Sequence, residues 1–318
     1  MSLAALANAV RDHAGLAAKR DVAAVAAGLG LAASGLGDDC AAIPDGDGYL
    51  LFAIEGFMAE FLAADPWFAG WCGVMVNLSD IAAMGGRALA VTDALWADGV
   101  AGAAPVLAGM AAASAAYNVP VVGGHSNFRA DGQLAVSVLG KANALLSSFA
   151  ARPGEILIAA IDLRGRYRPV FDNFQAALEA PPERLRGDLE LLPLIAEAGL
   201  ARAAKDISQA GLVGTAAMLA ECSHVGLRID PAKIPAPEGV APERWLRSFP
   251  SFGFLLTALP QNAGEILARF AGRGIGAAVI GAVEPHRRVL LDDGAACETI
   301  WDFAAMPLMG CGPEKGAA

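Results

Sequence analysis

VMVNLSDIAAMGG, residues 74–86, is the stretch that decides how this chain is read. It opens on apolar residues, passes through a polar knot of Asn77, Ser79 and Asp80, and ends on Gly85 and Gly86. The pattern predicts a helix that the glycine pair stops, because glycine enters the left-handed conformation that closes helices. Ala82 and Ala83 are small enough for a neighbour to pack close. An aspartate among apolar residues is costly to bury unless it is paired or holds a metal. Taken alone, Asp80 is better read as a capping or satisfied core residue. Further stretches change that balance.

The chain has 318 residues, 55% hydrophobic and 18% charged, enough for a large core and, by length, two domains. The net charge of −10, without a large Lys/Arg cluster, speaks against nucleic acid as a partner. It leaves nucleotides open, since divalent metals bridge carboxylates to phosphate oxygens. The five cysteines (Cys40, Cys72, Cys222, Cys297 and Cys311) are odd in number, widely spaced and lack a CxxC pair. They form neither a disulfide framework nor a zinc site and fit a reducing cytoplasm. The N-terminus has no basic region or long apolar core of a signal peptide. Residues 99–128 carry no Lys, Arg, Asp or Glu, but Pro105, Asn118 and Pro120 interrupt them and alanine dominates their middle. They are expected to be buried elements of a soluble protein rather than a membrane span.

Residues 3–29 read as one or two helices. A glycine-flanked run follows, Gly35-Leu36-Gly37-Asp38-Asp39, whose glycines let backbone approach a ligand and whose carboxylates suit a metal; a surface turn is the plainer reading. Residues 40–43 and 49–54 form two strands about a Pro-Asp-Gly turn, the second ending on Glu55. Residues 65–72 read as a loop entering the central helix, with Pro66 at a helix-start position and Trp67 and Trp71 as packing residues. A strand over 88–95, a helix over 103–117, a short strand over 119–122 and a strand over 134–145 follow. Between the last two lies Gly123-Gly124-His125-Ser126-Asn127, read as a turn able to cradle phosphate oxygens, or equally as a hairpin turn with a solvated histidine.

A polar Pro-Gly step at 147–154 marks the domain boundary, giving domains over 1–150 and 151–318. A strand over 155–161 comes next. Arg164–Arg168, RGRYR, is the one local basic run, read as a solvated loop in preference to a contact for an anionic substrate. Helices are expected over 171–180 and 187–199. Lys205-Asp206-Ile207-Ser208 precedes a helix capped by Asp206 or Ser208, with Gly211 and Gly214 near its start placing backbone amides toward an anion, or packing closely. Strands over 227–230, 254–258, 277–283 and 288–291, a helix over 263–272 and a poorly ordered tail after Met306 complete the reading.

The ordered set GDD, IEG, NLSDIAAMGG, VVGGHS and KDISQAGLVG resembles the aminoimidazole ribonucleotide synthetase-like (PurM-like) superfamily, which includes selenophosphate synthetase and thiamine monophosphate kinase. The synthetase's reactive N-terminal segment has no counterpart before Gly37, and residues 248–254 replace the kinase's acidic GGEDYEL-like motif. The resemblance implies an N-terminal α/β domain with a mixed sheet that pairs with a second copy into an intersubunit β-barrel, followed by a C-terminal α+β domain. It implies ATP and Mg²⁺ as cofactors, with metals held by Asp38, Asp39, Asp80 and Asp206. Gly37, Asn77, Gly123, Gly124, His125 and Asn127 would line the nucleotide, His125 standing where several relatives use a carboxylate. Glu55 would face the substrate, and Asp80, Asp206 and Lys205 would serve catalysis. The implied protein is a cytoplasmic homodimer that phosphorylates a small molecule. A nucleotide-binding scaffold or sensor without catalysis is the competing reading.

Overall fold

The computed structural model describes residues 2–30, 36–169 and 171–312. In chain order it contains helices α1 (Leu3–Arg11), α2 (Ala14–Ala18) and α3 (Asp21–Gly28), then β1 (Ala41–Asp45) and β2 (Gly48–Phe57). Next come α4 (Ala59–Ala64), α5 (Pro66–Ala83), β3 (Arg87–Asp98), α6 (Gly99–Tyr117), β4 (Val121–Asn127) and β5 (Arg129–Ala142). The second half opens with β6 (Ile156–Ile161), β7 (Arg166–Tyr167), β8 (Asn173–Gln175), α7 (Pro182–Leu189) and α8 (Leu191–Glu197). It continues with β9 (Ala203–Asp206), α9 (Gly211–Cys222), β10 (Gly226–Ile229), α10 (Pro242–Trp245), β11 (Phe249–Pro250) and β12 (Gly253–Ala258). Helix α11 (Ala263–Ala271) and strands β13 (Gly276–Glu284), β14 (Arg288–Asp292) and β15 (Cys297–Asp302) close it.

The chain divides into two units. One comprises Met1–Asp38, Leu146–Leu178 and Ala198–Ala318; the other comprises Asp39–Leu145 and Glu179–Glu197. One join falls between Leu145 and Leu146. Two segments depart from a simple division there: α1–α3 pack with the C-terminal half, and α7–α8 with the N-terminal half.

In the Asp39–Leu145 unit an open mixed sheet runs β1-β2-β5-β3-β4, antiparallel except for the parallel pair β3 and β4. Helix α5 lies on the face carrying Leu51, Leu134, Val136 and Val138, and every residue from Phe68 to Ala83 is buried. The helix begins earlier than the sequence suggested. Asp65 caps it by accepting from the Phe68 amide, and Pro66 occupies the first turn, so 66–72 are helical rather than loop. It ends as expected: Gly85 takes φ +78° and the Gly86 amide donates to the Ile81 carbonyl.

Glycine sets how closely α5 meets its neighbours. A methyl group on Gly70 would overlap the Val106 carbonyl, one on Gly109 the Trp67 carbonyl, and one on Gly73 would sit 2.9 Å from Val136 Cγ2. Trp67 and Trp71 stack at 5.7 Å, as packing residues should. Helix α6, the one described helix long and apolar enough to cross a membrane by length and composition, packs on α5 but only 28% of its apolar stretch is buried, less than the sequence led one to expect.

The other unit holds a seven-stranded sheet, β15-β14-β10-β13-β6-β12-β9, and a three-stranded sheet, β11-β8-β7. Its core gathers Leu157, Ala159, Leu219, Leu255 and Leu291 with Leu3, Leu6 and Val10 of α1. Several sequence expectations are corrected here. Residues 171–180 are not a helix; they hold β8 and turns. Part of RGRYR is a strand, not a loop. Neither Asp206 nor Ser208 caps α9, because Asp206 ends β9 and Ala210 is the cap residue, without a side-chain bond. Strand β15 went unforeseen. The segment after Met306 is fixed through Gly312: Leu308 and Met309 are buried, and their amides donate to the Glu221 carboxylate at 2.7 and 2.6 Å. The last residues, 313–318, lie outside the described residues, as does Gly35 of the glycine-flanked run.

Candidate functional site

The polar knot of α5 is built from helix periodicity. Asn77 and Asp80 are three residues apart and share a helix face. Both are buried, at 0% and 6% exposure. Asn77 Nδ2 donates to the Gly73 carbonyl at 2.7 Å and Ser79 Oγ to Met75 at 3.3 Å, so the two donors are tied back into the helix. Asn77 Oδ1 is left buried with no hydrogen-bond donor upon it. A buried carbonyl oxygen in that condition is destabilising unless a cation or donor arrives.

Asp39, just before β1, brings its carboxylate to Asp80: an oxygen of each lies within 4.8 Å of the other. Two carboxylates that close, one of them buried, repel unless a cation lies between them. Together with Asn77 they offer only hard oxygen donors, the set suited to Mg²⁺ or Ca²⁺ rather than to softer metals. Asp39 and Asp80 are thus the acidic groups of this unit whose carboxylates come together.

Asp38 and Lys205 do different work. Asp38 Oδ2 accepts from Ser147 Oγ at 2.6 Å and Oδ1 from the Ser148 amide at 2.9 Å, which clamps the acidic loop to the segment after β5. Lys205 is buried on β9 and its Nζ donates to the Gly37 carbonyl at 3.1 Å. Gly37 has φ +112°, and a methyl group there would lie 2.7 Å from Cys222 Sγ and 3.0 Å from Cys311 Cβ. Both thiols are pushed up by burial, Cys222 far above its ordinary range, so they act as packing groups beneath the loop. Asp206 follows Lys205 on β9 and is buried too.

Residues 123–127 are not a turn. They belong to the edge strand β4, paired in parallel with β3. Alternation therefore separates them. His125 opposes Ala94 and Asn127 opposes Trp96, while Gly124 opposes Asp93, which in turn pairs with Val136 on the α5 side. His125 and Asn127 share the opposite face, where the His125 ring lies 6.2 Å from Trp96. Gly124 must be glycine, since a methyl group there would overlap Asp93 Oδ1. Glu55 is exposed on β2.

Asp93 is the residue that sequence reasoning passed over as a strand position. Its Oδ2 is buried without a hydrogen-bond partner, and burial raises its carboxyl above the ordinary aspartate range. The available signal was a carboxylate inside an apolar strand with a glycine pair thirty residues on, which is too common a pattern to single out.

Comparison with known proteins adds to this geometry. Residues 37–142 match the model for AIR synthase related protein, N-terminal domain, and residues 169–293 match that for its C-terminal domain. An uncharacterized protein of Synechocystis sp. is 46% identical over 277 residues, 86% of each chain. The thiamine-monophosphate kinase of Halobacterium salinarum is 28% identical over 278 residues, 83% of this chain and 93% of the kinase. Among solved structures, T. maritima PurL complexed with ADP shares the fold at TM-score 0.73 and 20% identity. That match covers 90% of this chain but spans about half, 48%, of the PurL chain.

Proposed function

Because the chain belongs to the AIR synthase related family, we propose that it binds ATP with Mg²⁺ and transfers a phosphoryl group to a small-molecule acceptor in the cytoplasm. The observation that carries this reading is the approach of the Asp39 and Asp80 carboxylates within 4.8 Å, beside the unpartnered Asn77 Oδ1. Relatives that include a kinase and a protein solved with ADP support it.

In this reading Asp39 and Asp80 hold magnesium and Asn77 supplies a neutral oxygen. The chemistry such ions supply when bound is neutralisation of charge on the transferred phosphoryl group. The chain's own part is positioning. Asp38 and Lys205 hold the backbone at 37–38 through Ser147 and the Gly37 carbonyl. Gly123 and Gly124 present backbone to the phosphates, and Glu55 lies on the acceptor's side. His125 and Asn127 lie on the face of the sheet turned away from α5 and are left out of this set. The same face of the sheet exposes Ile43, Phe52 and Ile54, and we take it as the surface through which two copies pair.

Calorimetry with Mg²⁺ and a non-hydrolysable ATP analogue, followed by ATP turnover across a metabolite panel, tests the reading. Binding together with turnover on an acceptor is expected. Absence of any binding heat overturns it, and tight binding with no turnover replaces it with the scaffold reading.

A further inference from the structure

Strand β10 is inserted between β13 and β14, antiparallel to the first and parallel to the second, so the connection from β13 to β14 passes over its first residue. Gly226 opposes Glu284 on one side, and Leu227 opposes Val289 on the other. The crossing requires glycine at 226, because a methyl group there would overlap the His286 carbonyl and ring. His224 lies two residues before Gly226, at the same crossing. It follows α9 in the left-handed conformation at φ +56°, a place that glycine usually takes. Its ring is turned to the C-terminal segment, where a methyl group on Gly312 would overlap Nε2. The topology thus brings His224 beside Arg287, the residue after His286.

Arg287 carries a charge that the fold leaves unanswered. It is half-buried, and among the described residues no carboxylate or carbonyl engages its guanidinium. Its Nε is buried with no acceptor upon it. The Phe303 ring, 5.8 Å away, lies near the limit of cation–π attraction. The acidic groups around it are occupied. Glu221 accepts from the amides of Leu308, Met309 and Gly310. Glu284 accepts from Arg228 at 2.7 Å and touches His286. Asp302, which opposes Arg288, accepts from the Ala304 amide. A buried guanidinium N–H without an acceptor is destabilising until an anion supplies one. Burial, and then the Arg287 charge, hold the His224 imidazole below the ordinary histidine range, against the opposite pull of Glu221. An oxyanion on the Arg287 fork would meet both groups, since the planar fork matches phosphate geometry. We propose that Arg287, with His224 beside it, forms a binding site for the phosphate group of a small anionic ligand. The site lies within one of the two units and does not rest on the phosphoryl-transfer reading.

Inorganic phosphate is the probe, titrated against the full chain. Affinity is read from ³¹P line broadening, and the site from the ring-proton signals of His224. The parent is expected to bind at millimolar concentrations or below, with the His224 signals moving along the same isotherm while those of His13 and His125 stay in place. Arg287→Gln should weaken binding at least tenfold. His224→Asn, a residue that also enters the left-handed conformation, should weaken it at least threefold. Arg288→Gln, which removes the next arginine in the chain, should stay within twofold of the parent. Sulfate, whose charge is constant near neutral pH, should raise the pH at which His224 titrates, because a bound anion offsets the Arg287 charge. The assignment is wrong if the parent shows no saturable binding, or if Arg287→Gln or His224→Asn binds as the parent does. It is equally wrong if Arg288→Gln costs as much as Arg287→Gln, or if sulfate leaves the His224 titration where it was.

Discussion

Asp80 sits on a helix whose neighbours for a full turn on either side are buried, so its carboxylate keeps its charge only through what it meets. Asp80→Asn keeps shape and volume while removing the charge that a cation needs. The expected result is loss of Mg²⁺-dependent nucleotide binding by at least tenfold in calorimetry, with the fold retained by circular dichroism. Undiminished binding by that variant would show the metal assignment to be mistaken. Asp93 gives a prediction in pH. Burial raises its carboxyl above the unfolded value near 3.9. A raised carboxyl pKa means that the folded state holds the proton more tightly. The stabilisation is complete below the unfolded value and disappears as pH climbs through the raised folded value. Asp93→Asn removes that dependence, so its stability relative to the parent, followed by urea unfolding, should increase from pH 4 toward neutrality. A flat difference across that range would show that the carboxyl is not strained by burial.

Helices α7 and α8 show what one arginine does for an element. They follow the second half's opening strands in sequence yet pack with the first half, against α6 and α5. Arg87, at the start of β3, meets Glu190 at 2.5 Å and Glu197 at 2.6 Å, and Asn143 Nδ2 also donates to Glu197. The guanidinium's hydrogen bond lowers the Glu197 carboxyl. Its stabilisation is therefore present at neutral pH and is lost as pH falls through the depressed folded value. These groups are partly exposed, so about 1 kcal/mol is a fair estimate for the forked network. Arg87→Ala should raise amide exchange in 182–197 selectively, leaving the strands β2 and β5 protected; uniform protection throughout would show that packing alone holds the pair. This docking was invisible in sequence because nothing in 179–197 names a partner a hundred residues upstream. The same limit explains the other misses. A three-residue strand such as β8 has no periodicity to detect, and GGHSN reads as a turn because its edge pairing with β3 is non-local. What was legible was local: α5 with its glycine stop, the β1–β2 hairpin, and the acidic loop whose Asp39 meets Asp80. The bonds of Asp38 to Ser147 and Ser148 and of Lys205 to the Gly37 carbonyl were not legible, because sequence shows a charged group but not the serine or carbonyl that engages it.

At the scale of the whole molecule, the sheet face turned away from α5 is the feature a lone chain leaves unexplained. Phe52 and Ile54 on β2 are 50% and 64% exposed, and Ile43 on β1 is 52% exposed. Leu139 opposes Phe52 on the neighbouring strand, so the apolar groups are contiguous rather than scattered. The pairing of two copies proposed above would cover this contiguous apolar face. Its centre carries no charge to oppose a second copy, and the two-fold pairing common among oligomers would set this face against itself. Full burial of a large apolar side chain contributes roughly 1.5–3 kcal/mol, and half of that for a group already half buried, so the four residues from each of two chains would supply several kcal/mol. Light scattering should give the mass of two 32.3 kDa chains at micromolar concentration. Phe52→Lys/Ile54→Lys places four like charges at the centre of the interface and should yield a folded chain of single mass. The substitutions lie opposite the α5 core, so helicity and the Asp39–Asp80 approach should survive. A parent that runs as a single chain at tens of micromolar would remove the pairing from the proposal, and would leave the apolar face to be accounted for by a different partner.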